Sequence, residues 1–376
     1  MNILFITPSE VQPLNGGIER ITYSLSQALS EYYGHRCYFC CLDDNLTEHG
    51  WKKYIIENKI NVIIAQGANK RIAQLLPMLR QIIDGAGLKI VLLFVFHSNP
   101  GVELATMDCS VLCSRLLHGR NLKSNIQQLV WQMFQPIMRK SMLNHLQDKY
   151  HLPYEYADKI VLLSPHFIPE YRAISGGDEA KFTAIPNMLS FSEDTKPAEH
   201  KTKTVLLVSR MEERQKRIKL ALKIWNRTPH NGWQLKIVGA GEDLSYYKCL
   251  ATKWQLTDIT FEGRQNPLPY YQEASIFMMT SAFEGWGLTL TEAQQCGCVP
   301  IVFDTYASLS DIVVDGRNGY IVQEGDIDQY IARLKELMEN DELRKQMAET
   351  AMRDCKRYTP QVVAAKWDKL FNDLVQ

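Results

Sequence analysis

Two α/β domains, each a parallel sheet wound with helices on both faces, are what this sequence predicts. Three observations predict them. Short apolar runs alternate with helical stretches along the chain, the pattern of βα units. The length, 376 residues, suits two domains at about 150 residues each. A polar stretch at 190–203, carrying Glu193, Asp194, Lys196, Pro197 and Glu199, separates two such series and reads as a linker. The expected boundaries are 1–189 for the first domain, completed by a last helix at 361–376, and 190–360 for the second.

Composition narrows the function classes. Lys plus Arg and Asp plus Glu balance at 42 each, so no long-range field for nucleic acid is expected. The longest central apolar run, 90–96, is too short to span a bilayer. Residues 1–6 lack the basic start and the length of a signal peptide, so a cytoplasmic protein is expected. Cys37 and Cys40 fall on an alternating strand, and Cys109 and Cys113 have helical spacing. Neither pair has a second pair at zinc-finger distance, so buried free thiols are the reading.

In the first half, 2–7 is a buried strand, 8–17 a long loop, and a helix starts at Ile18. Strands are expected at 36–42, 61–65, 88–96, 159–164 and 182–185. Gly16 and Gly17 stand before the first helix, where paired glycines let backbone approach a ligand closely. His97 ends the apolar run KIVLLFVF, and a polar residue at the carboxyl end of a parallel strand faces the ligand crevice. Taken singly, either feature is also an ordinary turn or loop. From Cys109 to Gln147 there is no Asp or Glu, while Arg115, Arg120, Lys123, Arg139 and Lys140 interleave with apolar residues. Such a region either lies on an anionic membrane surface or buries its apolar side in the domain core.

In the second half, a strand at 204–208 leads to Arg210 and Lys216, one on either side of a turn before a helix at 218–225. Both cationic heads can meet one anionic group there. Gly239-Ala240-Gly241 follows the strand 235–238, a weak nucleotide sign and a common turn. The strand 259–263 ends at Gly263 and Arg264. Asp326 and Asp328 form the one Asp-x-Asp, but Asp326 precedes a helical run and reads as its N-cap.

The stretch from 276 to 303 carries the most chemistry. It reads strand, glycine-broken loop, helix, glycine stop, strand. Glu284 stands in the loop and Glu292 in the helix. The free amides of Gly287, Leu288 and Thr289 open the helix, and such an end binds phosphate. Glu292, one turn in, can accept from vicinal hydroxyls. The chemistry this suggests is a nucleoside diphosphate attached to a sugar.

The string E-G-W-G-L-x-L-x-E-A-x-x-x-G-x-x-P from Glu284 to Pro300 resembles the E-x7-E signature of retaining glycosyltransferases of family 4. Gly16-Gly17-Ile18-Glu19-Arg20 resembles that family's G-G-x-x-R loop, and Arg210 with Lys216 its R-x5-K variant. Where relatives usually have Phe, this chain has Trp286. Where they carry Gly-Gly before an acidic residue, it has Thr305-Tyr306-Ala307-Ser308-Leu309-Ser310-Asp311, beside the donor sugar. That departure makes donor identity untransferable.

The resemblance implies a GT-B fold, two doubly wound Rossmann-like domains facing a central cleft. It implies transfer of a hexose from a nucleotide sugar, UDP-linked, to a saccharide or lipid-linked saccharide acceptor, with retention and with neither metal nor cofactor. Gly16 and Gly17 would lie by the diphosphate and acceptor, and His97 against the sugar's 6-position. Glu284 would contact sugar hydroxyls, and Glu292 the ribose. Arg210, Lys216 and the amides at 287–289 would stabilise the departing diphosphate. Gly239 would be a turn close to the nucleotide, and Gly263 and Arg264 would present backbone to uracil. A nucleotide-sugar epimerase would need acid–base residues that are not visible. A non-catalytic partner subunit would have a broken phosphate site, whereas both cations and both glutamates are present. A dinucleotide oxidoreductase would need G-x-G-x-x-G after the first strand.

Overall fold

The computed structural model describes residues 1–12, 17–44, 46–105 and 135–375; at 104, 105 and 135–145 only the backbone course is described. The chain divides into two compact units, Met1–Ile185 with Lys366–Gln376, and Pro186–Ala365. The division falls inside the last helix, Pro360–Val375.

Unit 1 is a six-stranded parallel sheet. Its strands are β1 (Asn2–Thr7), β2 (Arg36–Cys41), β3 (Val62–Gln66), β4 (Val91–Phe96), β5 (Lys159–Leu162) and β6 (Phe182–Ala184), in the order β2-β1-β3-β4-β5-β6. Every residue of β3 and β4 is buried, as expected where helices cover both faces and strands become continuous apolar runs. Successive strands are added on one side of β1 by β2 and on the other by β3, so the winding reverses between β1 and β3. Beyond β4, Phe96 packs at 5.3 Å on Tyr150 and 5.2 Å on Tyr171, and Gly101 N–H donates to the Tyr150 hydroxyl at 2.9 Å. These contacts fix the turn that follows His97. Asp368, on the last helix, pairs with His35 at 2.8 Å within the same unit.

Unit 2 repeats the plan with β7 (Thr202–Val208), β8 (Gln234–Val238), β9 (Ile259–Gly263), β10 (Ala274–Met279), β11 (Val299–Asp304) and β12 (Tyr320–Gln323). Their order is β12-β11-β10-β7-β8-β9, all parallel, with the reversal between β7 and β10. Its core gathers Val205, Leu207, Leu235, Ile237, Ile276 and Met278 from the strands with Leu222, Trp225 and Tyr330 from the helices. Each fully buried aliphatic side chain contributes about 1.5–3 kcal/mol.

Several expectations need correction. The stretch from 190 to 201 is irregular and belongs to unit 2, which begins at Pro186. Gln295 Nε2 donates to the carbonyls of Phe191 and Ser192, at 3.1 and 2.9 Å. Lys201 Nζ donates to the carbonyls of Tyr271, Ala274 and Cys296, so one cation gathers several chain ends. The first strand of unit 2 accordingly starts at Thr202, and β3 runs one residue further than expected, to Gln66. Asp326 does cap the helix Ile327–Glu339, its side chain accepting from Gln329 N–H at 2.9 Å, while Asp328 pairs with Arg227. Gly16 and the basic stretch from Cys109 to residue 134 lie outside the described residues.

Candidate active site

The loops after β7 and β10 meet where the winding of unit 2 reverses, the position where open α/β sheets bind ligands. Backbone ties them first. Ala282 N–H donates to Gln215 O at 2.7 Å. The Thr280 hydroxyl lies 2.9 Å from Lys216 O, and Arg217 donates through Nε to Thr280 O at 2.8 Å and through Nη2 to Ser281 O at 3.1 Å. Arg217 holds φ of 49°, a left-handed conformation costly for a residue with a β-carbon. It ends one short helix, Glu213–Lys216, and opens the next, Ile218–Arg227.

That sharp turn brings Lys216 to Glu284. Lys216 Nζ lies 2.5 Å from Glu284 Oε1, and the two side chains retain only 13% and 10% of their exposure. Gln215 Nε2 donates to the other carboxylate oxygen at 3.2 Å and to Phe283 O at 3.1 Å. The side-chain oxygen Oε1 of Gln215 in turn accepts from Arg210 Nη2 at 3.1 Å. Arg210 itself keeps 73% side-chain exposure, so its guanidinium is open to a ligand. Removing two charges from water costs more than an apolar pair of similar volume, and a chain gains little stability by such a pair. Stability alone therefore gives little reason for Lys216, Glu284 and Gln215 to stand together.

Beyond Glu284 the helix Leu288–Gln295 begins and ends where the sequence places it. Gly287 opens it at φ 88°, and a β-carbon there would stand 2.9 Å from the Tyr306 hydroxyl. No side chain caps this end, so the amides of Gly287, Leu288 and Thr289 face outward from the dipole's positive pole. Trp286 is buried, edge-on to Tyr358 at 5.1 Å, and so anchors the loop by packing. Tyr306 is buried beneath Gly287, and Ser308 Oγ donates to Gly285 O at 3.3 Å. The segment that departs from the resemblance is thus the floor of the glutamate loop.

Glu292 lies deeper, 1% exposed, and accepts from the Tyr271 hydroxyl at 3.0 Å. The glycine turn stands close by β9: Gly239 N–H donates to Gly263 O at 2.7 Å. A β-carbon on Gly239 would fall 1.8 Å from Ser209 O, and one on Gly241 2.5 Å from Met211 O. Both glycines let this turn lie on the segment that carries Arg210. Gly263 has φ 71° with open space around it, and Arg264 is exposed.

In unit 1, Gly17 begins the helix Gly17–Tyr33 with open space where a side chain would stand. His97 Nε2 lies 2.7 Å from Gln66 Oε1, and burial pushes its pKa down to about 4. It is neutral at pH 7 and offers hydrogen bonds, not charge. Three residues of these sites escaped the sequence reading: Gln215, Tyr271 and Gln66. Gln66 carried the same signal as His97, a polar residue closing an apolar parallel strand.

Comparison with known proteins places this geometry in a family context. Residues 191–354 match the family described as glycosyl transferases group 1. A Haemophilus influenzae protein named "Uncharacterized glycosyltransferase" is 24% identical over 361 residues, covering 94% of this chain and 95% of that protein. The "Amylovoran biosynthesis glycosyltransferase AmsD" of Erwinia amylovora is 29% identical over 174 residues, which is 46% of this chain and 49% of AmsD. This chain therefore aligns with about half the length of AmsD. The solved structure of Anabaena HepE in complex with UDP superposes with a TM-score of 0.71 at 14% identity, over 99% of this chain and 100% of that one. The two Rossmann-like units thus have the GT-B architecture of HepE, and residues 191–354, within the second, are similar to the glycosyl transferases of group 1.

Proposed function

We propose that the protein transfers a hexose from a UDP-linked donor to an acceptor hydroxyl, with retention of anomeric configuration and without metal. The observation that carries this reading is the Lys216–Glu284–Gln215 constellation at the β7/β10 reversal, next to the uncapped start of the helix Leu288–Gln295. Resemblance to family 4 supports retention, and the UDP bound by HepE supports the nucleotide.

The diphosphate is held by Arg210, Lys216 and the amides of Gly287, Leu288 and Thr289. Each charge-assisted hydrogen bond contributes about 1.5–3 kcal/mol. An exposed helix end contributes roughly 0.3–1 kcal/mol. The cations therefore supply most of the stabilisation and the helix end sets the orientation. Glu292, oriented by Tyr271, holds the ribose hydroxyls, and backbone at Gly263 and Arg264 meets uracil. When Lys216 turns to phosphate, Glu284 is released to the sugar, where its charge stabilises the positive anomeric carbon.

In the transfer step the bond between the anomeric carbon and the diphosphate oxygen breaks. The acceptor oxygen bonds to the same face of that carbon. The acceptor's proton passes to the departing diphosphate oxygen, so no separate base is required. The acceptor is a growing cell-surface glycan or lipid-linked saccharide met on the cytoplasmic side. Incubation with a panel of nucleotide sugars in chelator should release UDP slowly from one UDP-hexose, and Glu284→Gln should lower that release about 100-fold or more. UDP binding with no release from any donor or acceptor mixture would instead mark a non-catalytic partner subunit.

A further inference from the structure

Gln215 stands between two side chains of unit 2 that carry opposite charges. It lies in the short helix Glu213–Lys216, directly before Lys216. Its main-chain carbonyl accepts from Ala282 N–H at 2.7 Å, so its backbone is pinned to the loop after β10. Its side-chain Nε2 donates to Glu284 Oε2 at 3.2 Å and to Phe283 O at 3.1 Å, while Oε1 accepts from Arg210 Nη2 at 3.1 Å. Lys216 takes the other oxygen of Glu284.

Chemistry fixes which way this amide faces. Carboxylate and main-chain carbonyl oxygens only accept, so the nitrogen must face Glu284 and Phe283, where both its hydrogens are used. The amide oxygen is then left towards Arg210, a group that only donates. A glutamate here would set a second carboxylate against Glu284, and a methionine would take away the donor to Glu284 Oε2. Among side chains of this length only the amide donates at one end and accepts at the other.

The two donors on Glu284 differ in charge. Lys216 neutralises the carboxylate that it holds, whereas an amide holds it and leaves its charge in place. We propose that Gln215 is a positioning residue for the transfer reaction: it keeps Glu284 aimed, and still charged, when Lys216 turns to the diphosphate. The inference rests on the proposed function for the donor and for the movement of Lys216; the amide geometry stands without it. Arg210 depends less on this contact, because its side chain keeps 73% of its exposure and its charge reaches a ligand with or without Oε1. The effect of Gln215 therefore falls on turnover and not on nucleotide affinity.

A split between affinity and turnover tests this. Gln215→Met should keep the thermal midpoint and hold UDP affinity within about threefold, while kcat with the accepted UDP-hexose falls roughly 10–100-fold, the scale of a misaimed group at the reacting centre. Gln215→Glu should lower kcat as far and weaken UDP as well, because its carboxylate would claim Arg210. On a Glu284→Gln background, Gln215→Met should cost less than about threefold more, since the group it acts through is gone. Independently of turnover, the 15N-labelled side-chain amide of Gln215, assigned by its loss in Gln215→Met, should shift on Glu284→Gln. Unchanged kcat in Gln215→Met would overturn the proposal. So would a loss that UDP affinity shares in equal measure, one that recurs in full on the Glu284→Gln background, or an amide resonance indifferent to Glu284. A wild type that neither binds UDP nor turns over any donor would refute the proposed function and this role with it, and the amide resonance would still decide the geometry.

Discussion

Glu284 and Glu292 are eight positions apart, one in a loop and the other inside a helix, and the proposed function gives them different work. Glu284 shares its oxygens between Lys216 and Gln215, whereas Glu292 is sealed against Tyr271. Glu284→Gln should therefore spare UDP affinity and lower turnover by about 100-fold or more, the scale of one lost electrostatic contact in a transition state. Glu292→Gln should weaken UDP itself, by about 1.5–3 kcal/mol if its charge-assisted bonds are lost. Isothermal calorimetry beside a UDP-release assay separates the two, and the reverse pattern would reassign them. His97 bears on acid stability. Its folded pKa, about 4, lies below the ordinary 6.5, so on acidification the unfolded chain takes the proton first. Stability from this group is full above about pH 6.5 and is lost as pH falls towards 4. His35, whose pKa burial also lowers, adds in the same direction. Urea melts across that window should show a falling slope, flattened in part by His97→Gln.

At the scale of elements, the glycines are where geometry is least forgiving. Gly239→Ala would drive a β-carbon into Ser209 O from a φ of 140°, and should destabilise unit 2 by roughly 2–4 kcal/mol through strain and overpacking. Gly263→Ala has open space and pays only for its φ of 71°, about 1 kcal/mol. Differential melting of the two variants checks the contrast. The elements themselves were largely legible. Parallel strands buried on both faces leave uninterrupted apolar runs, so 2–7 could be bounded to the residue. The helix Leu288–Gln295 was equally plain, because Gly287 and Gly297 punctuate both its ends with positive φ. Less visible was what long-range packing decides. Gln66 and His97 are 31 residues apart, Tyr271 and Glu292 21, and Gln215 and Glu284 69. No local period encodes those meetings. The polar stretch before β7 is irregular, with Glu193, Asp194, Lys196 and Glu199 exposed, but nothing local announces that Lys201 bonds to the carbonyls of Tyr271, Ala274 and Cys296.

At the scale of the molecule, no helix among the described residues is long and apolar enough to cross a membrane. The proposed acceptor at a membrane surface then requires a weaker attachment. Basic residues near anionic lipid contribute about 1 kcal/mol each. Co-sedimentation with anionic liposomes is expected at low salt and lost at high salt, and it should diminish when Arg139 and Lys140 both become Glu. Equal recovery with neutral liposomes would favour a soluble acceptor. The central claim is narrower: a nucleoside diphosphate is held in unit 2 by Arg210, Lys216 and the helix end at Gly287. A ligand at 100 times its Kd stabilises the fold that binds it by about 2.7 kcal/mol, so UDP should also raise the melting point. The most direct measurement is calorimetry of UDP binding in chelator, for wild type and Lys216→Ala. The account predicts metal-free binding, weakened at least tenfold by the substitution. Binding that appears only after a divalent ion is added, or that ignores the loss of Lys216, would contradict it.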